Sequence, residues 1–397
     1  MSHRLPPFPV NRRMALLGLA GMAAQLAGCG GGSSAGLDSG GTGSFTSGTV
    51  TGLGSIIVGG VRYEDRGAQV VRSDGGAVSA LRVGMVVSVQ GSPISAPPGA
   101  GDLPTATAER ITYASEWAGP VGTVDPQSGT FTMLGQTVQV RANTVFDGAA
   151  LQLAALDASM FVEVYGYLDT RTGRLFATRV ESGTVAPSSY QLSGRVAAFD
   201  PDAGRFRLGT AVIDAGGLAL PAGLADGRLV RVRLATRRTG AAWTATRIDL
   251  RDADAEALAD ADGADVEVEG KVTSFISVGR FSVNGLPVDA RAAQVEGSVT
   301  LGASVEVHGR SVDGVIVARR VEVEDESEIE QREYEFYGTV SNLDTAARRF
   351  TLRGQEFVYT QATRFEDGVT LADGAYVKVK AARISGRWVV SRVESGR

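Results

Sequence analysis

The chain has 397 residues, 52 of them glycine, with 43% hydrophobic residues and a formal net charge of −5. That length exceeds what one small core serves, so two or more turn-rich domains are expected. The acidic balance argues against nucleic acid as a partner, whose phosphates require a basic footprint, and a single cysteine, Cys29, excludes an internal disulfide or a cysteine-cluster metal site.

The first 28 residues predict an export signal. Arg12 and Arg13 precede a short apolar segment and then small residues, too brief and wrongly flanked for a membrane-spanning helix. The closing Leu26-Ala27-Gly28-Cys29 resembles the bacterial lipobox. What the resemblance implies is cleavage before Cys29, by the peptidase that recognises Leu26, Ala27 and Gly28, and attachment of lipid to the cysteine. Burial of acyl chains contributes about 0.8 kcal/mol per CH₂, so multiple chains anchor durably. Gly30 in place of Asp favours the outer membrane by the same resemblance, and Arg12-Arg13 leaves both the general and the twin-arginine export routes open. Without residues 1–28 the chain carries 36 Lys and Arg against 44 Asp and Glu. Residues 29–46, rich in Gly and Ser, form a flexible tether with almost nothing to pack.

A Gly-x-Val phrase then recurs at Gly48, Gly122, Gly194, Gly270 and Gly338, with spacings of 74, 72, 76 and 68 residues. This is the signature of an array. Phe131, Phe206, Phe281 and Phe350 keep step, with Ile56 in the first copy, and each leads into a hairpin that is clearest at Asn284-Gly285. A third block, L-x-x-G-x-x-V-x-V, runs through all copies, although Ser159 replaces its glycine in the second and Val299 its leucine in the fourth. The paired valines face a core, which directs Ser88, Glu163, Arg231, Glu306 and Lys378 outward.

Each copy closes on an arginine followed by Val or Ile: Arg110, Arg179, Arg247, Arg320 and Arg392. These are expected to be structural, with the stem lying on the barrel edge and the head paired to a carboxylate such as Glu181, Asp249, Glu322 or Glu394. Five short antiparallel strands per copy bury a core best by closing on themselves. The expected fold is therefore all-β, five tandem small five-stranded OB-like barrels, with a meander or a two-sheet sandwich as the competing architecture. Their bounds are 47–113, 119–182, 190–251, 265–324 and 334–395. Two acidic linkers are expected, 252–264 as a short helix ended by Gly263 and 325–333 as a solvated, self-repelling spacer.

Few residues suggest chemistry. His308 is the only histidine after the signal, at a position where other copies carry Gln90, Tyr165, Arg233 and Lys380, so a solvent-facing strand site is expected. Asp260, Asp262 and Glu269 match only part of a calcium loop, because Leu258 stands at the first ligand position, and no metal is expected there. No Walker loop, dinucleotide fingerprint or HExxH segment is present, so neither a cofactor nor an enzymatic activity is expected. Trp243 and Trp388, at equivalent places shared with Leu175 and Ile316, are read as core residues.

Taken together, the G-x-V, F-x-V, L-x-x-G-x-x-V-x-V and A-x-R-V-E elements resemble the bacterial envelope family called domain of unknown function 5666, over about residues 47 to 395. Copies two, four and five match it best. The first carries the insertion SPISAPPGAGDLP, and the third lacks the T-x-F-x-G found at Thr144 to Gly148. The family implies no activity. The expected function is a lipid-anchored envelope protein that presents its modules as a non-enzymatic binding or spacing scaffold for a protein partner, with recognition of envelope polysaccharide as the alternative.

Overall fold

The computed structural model describes residues 43–99, 102–251, 253–366 and 368–396. Cys29, its flanking Leu26, Ala27 and Gly28, the export signal and nearly all of the tether lie outside the described residues. The fold is all-β, built as small five-stranded closed barrels in two sheets. Among the described residues no helix is long and apolar enough to cross a membrane.

The second repeat shows how closure works. Strand Trp117–Asp125 pairs antiparallel with Thr130–Met133, which pairs antiparallel with Gln136–Gly148. The last of these runs parallel to Arg174–Gly183, whose antiparallel partner Phe161–Asp169 returns antiparallel to Trp117–Asp125. This parallel seam corrects the expectation of purely antiparallel strands. A ring with an odd number of strands cannot alternate direction all the way round, so one pair must run parallel, here the third strand with the fifth. The same circuit joins strands of the third repeat, from Tyr190–Asp200 to Ala242–Leu250, and of the fifth, from Tyr334–Asp344 to Arg387–Ser395. In the first and fourth repeats the third strand is broken in two, as Val61–Glu64 with Gln69–Arg72 and as Leu286–Asp289 with Gln294–Glu296.

The repeated phrases have physical assignments. Asn284 and Gly285 adopt φ of 51° and 94°, as a two-residue hairpin of this type requires. The glycine of L-x-x-G takes φ of 84° to 88° at Gly84, Gly227, Gly302 and Gly374, and its N–H donates to the carbonyl of the Gly-x-Val valine. Ser159 lies outside that region, and its N–H bonds Asp157 Oδ1 instead. The valine N–H in turn donates to the residue after the turn glycine: Val50 to Met85, Val196 to Arg228, Val272 to Ala303 and Val340 to Ala375. In the second repeat the residue making this bond is Val121, to Met160 at 3.0 Å. The structural phrase there is Gly119-Pro120-Val121, three residues ahead of the Gly122 expected from spacing.

The barrels are not separate beads. Strand Ser44–Leu53 lies antiparallel to Val86–Gly91 within its own barrel and parallel to Asp265–Ser277 of the fourth repeat, with Ser44 opposite Asp265. Its far end pairs with the fifth repeat, Gly52 opposite Glu335. Only glycine fits at that crossing, since a Cβ on Gly52 would stand 2.9 Å from the Glu335 carbonyl oxygen. Trp117 and Ala118 join the second repeat to Leu192 and Gln191 of the third. The cores merge accordingly: one cluster spans repeats two and three, another repeats one and five, and Phe45 enters the core of repeat four.

Both acidic linkers are docked. The helix Ala253–Asp260 buries Leu258 in the fourth core, and Ser311 Oγ donates to the Leu258 carbonyl at 2.6 Å. Ser88 and Gln90 of the first repeat hold its other side through Asp254 and the Ala257 carbonyl. The expected solvated spacer at 325–333 is overturned. Its helix Glu326–Glu330 buries Ile329, and Glu326 pairs with Arg141 and with Lys271, the latter at 3.0 Å. Basic side chains from repeats two and four hold Glu326, and the buried Ile329 anchors the helix.

Candidate functional site

Of the strand positions directed outward, Ser88, Arg231 and Lys378 are buried. Ser88 meets Asp254, Arg231 donates to Ser73 Oγ and Lys378 pairs with Glu335 and Glu394. Arg251 pairs with Glu116 at 2.5 Å, and Asp74, fully buried, accepts from Arg72 at 2.8 Å and from the Gly76 N–H. Burial pushes Asp74 up, but these donors outweigh it and hold the carboxyl below its usual range.

The recurring arginines sit at barrel edges. Arg179 pairs with Glu181 at 2.7 Å, Arg247 with Asp249 at 2.8 Å, Arg320 with Glu322 at 2.8 Å and Arg392 with Glu394 at 3.3 Å, while Arg110 donates to Gln69 at 3.1 Å. Arg179 alone among them is fully buried and also reaches Asp147 at 2.5 Å.

His308 departs from the solvent-facing expectation. Its side chain is 19% exposed, with Nε2 3.4 Å from Glu306 Oε1 and Nδ1 3.9 Å from Glu267 Oε2. These three form the one group of His, Cys, Asp or Glu close enough to share a metal among the described residues. Each nitrogen is turned to its own carboxylate, whereas a chelated metal would need one nitrogen and both carboxylates facing a single point. Burial and the neighbouring Glu306 push the Glu267 carboxyl well up. Asp260, Asp262 and Glu269 are not brought together: Asp260 ends a helix, Asp262 accepts from the Asp313 N–H and Glu269 pairs with Arg332 at 2.8 Å.

The arrangement best suited to a small ligand was not visible in the repeats. Repeats one, two and five enclose a cleft of about 520 Å³, within the range of ligand sites. The first repeat supplies an aliphatic wall that includes Val70, Leu81 and Val83, and the second supplies Val145, Phe146 and Asp147. The fifth contributes Phe336, Trp388, Arg353 and Arg383. Val78, 60% exposed, leaves one side open to solvent. Asp147 is engaged by Arg82 at 2.6 Å and by Arg179, and although burial opposes them these cations keep its carboxyl low. Among the described residues Arg353 and Arg383 make hydrogen bonds only to backbone, the Tyr337 and Phe146 carbonyls, each at 3.3 Å. The Arg383 guanidinium lies over the Trp388 ring at 5.0 Å, and burial lowers its pKa. The sequence signal for Arg353 was weak: it occupies, with φ of 52°, the hairpin place where repeat four has Asn284.

Trp117, Trp243 and Trp388 are all buried, and Leu175 and Ile316 are buried at the corresponding places.

Comparison with known proteins adds the following. The structure of Drosophila Unr CSD456 is similar at 15% identity over 53% of this chain and 98% of its own, with a TM-score of 0.13, too low to bear on fold or ligand. No curated protein matches. The family model described as "Domain of unknown function (DUF5666)" matches residues 118–181, 269–322 and 337–394, which are the second, fourth and fifth repeats. Those are the copies whose phrases fit best, and the chain is accordingly a DUF5666-like repeat protein.

Proposed function

We propose that the chain is an exported envelope protein, lipid-anchored at Cys29 on the outer membrane, that carries five tandem OB-like barrels as a non-enzymatic binding or spacing scaffold. The barrels span 47–113, 119–182, 190–251, 265–324 and 334–395, and the docked linkers join them. The observation that carries this reading is the burial of outward strand faces such as Ser88 and Arg231 against neighbouring modules. A rigid body on a Gly/Ser tether suits holding a surface at a fixed relation to the membrane. The partner is a protein or a small ligand. Polysaccharide recognition is less well supported, because all three tryptophans lie in the cores, although Phe275, Phe365 and Tyr376 are exposed.

Replacing Cys29 with alanine is expected to move the protein from the membrane pellet to the soluble fraction after high-salt washing. Retention in the pellet would mean that something other than lipid holds it there.

A further inference from the structure

The cleft between repeats one, two and five has a charge opposite to that of the molecule. The protein as a whole is acidic, at −5, yet four arginines, Arg82, Arg179, Arg353 and Arg383, line the cleft against two carboxylates, Asp65 and Asp147. Two of those arginines are spent on Asp147. Among the described residues no carboxylate lies within ion-pair distance of Arg353 or Arg383, and the buried Arg383 Nε has no hydrogen-bond partner. A guanidinium offers five donors, and leaving one unmet away from water is costly. Beside these donors stands an apolar wall of Leu53, Val70, Val78 and Leu81, half-buried or exposed and backed by the buried Val83, Val145, Phe336 and Trp388.

We propose that this cleft binds an amphipathic oxyanion, a phosphate or carboxylate bearing an apolar chain or ring. Arg353 and Arg383 take the anionic head, and the apolar wall takes the tail. Stacking of Arg383 on Trp388 fixes the plane of its guanidinium, so two N–H groups can meet two oxygens of one head group. A free inorganic anion satisfies the arginines but leaves the wall wet; a neutral amphiphile covers the wall but leaves the donors unmet. Only a molecule with both parts answers the whole surface. The inference rests on the reading of the chain as a binding scaffold and names the class of ligand. A lipid head group and a soluble metabolite share this chemistry.

The test uses the full chain with Cys29→Ser to keep it free of lipid. Octyl phosphate, inorganic phosphate and octyl glucoside are titrated by calorimetry, with tryptophan emission followed in parallel. Octyl phosphate is expected to bind at one saturable site, inorganic phosphate about tenfold more weakly or worse, and octyl glucoside not at all. Arg383→Gln is expected to weaken octyl phosphate about tenfold. Arg353→Gln, at an exposed hairpin position outside the core, is expected to do the same and keeps the test valid if the Arg383 variant misfolds. Anionic vesicles that compete with octyl phosphate would place the source in a bilayer; vesicles that do not compete would place it in a soluble compound. Equal binding of octyl glucoside, equal binding of inorganic phosphate, indifference to both substitutions or absence of octyl phosphate binding would each overturn the proposal. None of these results depends on whether Cys29→Ala releases the protein from membranes, so the ligand and the anchor stand or fall separately.

Discussion

Replacing Arg332 with methionine is expected to destabilise the protein by about 3 kcal/mol at neutral pH, the low end of the range for breaking a buried ion pair. The low end applies because the Arg332 side chain is 32% exposed. Arg332 follows the helix Glu326–Glu330 and pairs with both Glu269, at 2.8 Å, and Glu324. Both acids are largely shielded from water, at 11% and 9% exposure, and without the guanidinium the Glu269 carboxylate would be left without its counter-ion. Methionine keeps most of the stem packing, so the loss reports charge.

The effect has a definite pH dependence. Burial, followed by the charge of Glu269, pushes Glu324 up to about 8 even with Arg332 in place. A carboxyl whose folded pKa is raised binds a proton more readily in the native state than in the unfolded one. Its contribution to stability is therefore full below the unfolded value of 4.5 and is lost as pH rises through about 8. Removing Arg332 takes away the charge that holds Glu324 down, so its carboxyl rises further and acidification should relieve the variant more than the parent. Urea unfolding at about pH 8 and about pH 5 is expected to show the gap narrowing at the lower pH. An equal loss at both would mean that Arg332 acts through packing alone.

Trp117→Ala is expected to cost about 3–5 kcal/mol, the range for truncating a large buried aromatic. Trp117 opens the first strand of repeat two, opposite Leu192 of repeat three, and its indole Nε1 donates to the Ser193 carbonyl at 2.8 Å. One residue thus packs the merged core and holds the junction between two barrels. Trp117→Phe retains much of the ring but leaves that carbonyl unpaired, at an expected cost of about 1–2 kcal/mol. Chemical unfolding of the two variants separates the terms. A Trp117→Ala loss under about 1 kcal/mol would show that the junction contributes little to stability.

How much of this was legible in the sequence depended on range. The Gly-x-Val, Phe and Val-x-Val phrases repeat, so the barrels and their hairpins could be read from register alone, Asn284-Gly285 included. The slip at Gly122 arose because Gly119-Pro120-Val121 and Gly122-Thr123-Val124 both fit the phrase; only the bond from Val121 to Met160 distinguishes them. The parallel seam was hidden because side chains alternate with period two in either strand direction. The burial of Ser88 and Arg231 could not be read because alternation tells which face leaves the barrel, not that another barrel waits there. The same long-range blindness misassigned 325–333, whose acids meet Arg141 and Lys271 from distant repeats. The cleft was invisible for a further reason. Its arginines and apolar wall come from three copies, and Arg353 and Arg383 are not part of the shared pattern.

The central claim is that polar and apolar junctions weld these modules into one body. Differential scanning calorimetry of the full chain tests it most directly, by comparing the calorimetric with the van't Hoff enthalpy. A single transition with the two enthalpies in agreement is the predicted result. Several independent transitions, each with the enthalpy of a module of about 60 residues by the usual ~0.7 kcal/mol per residue, would contradict it and return the chain to beads on a string.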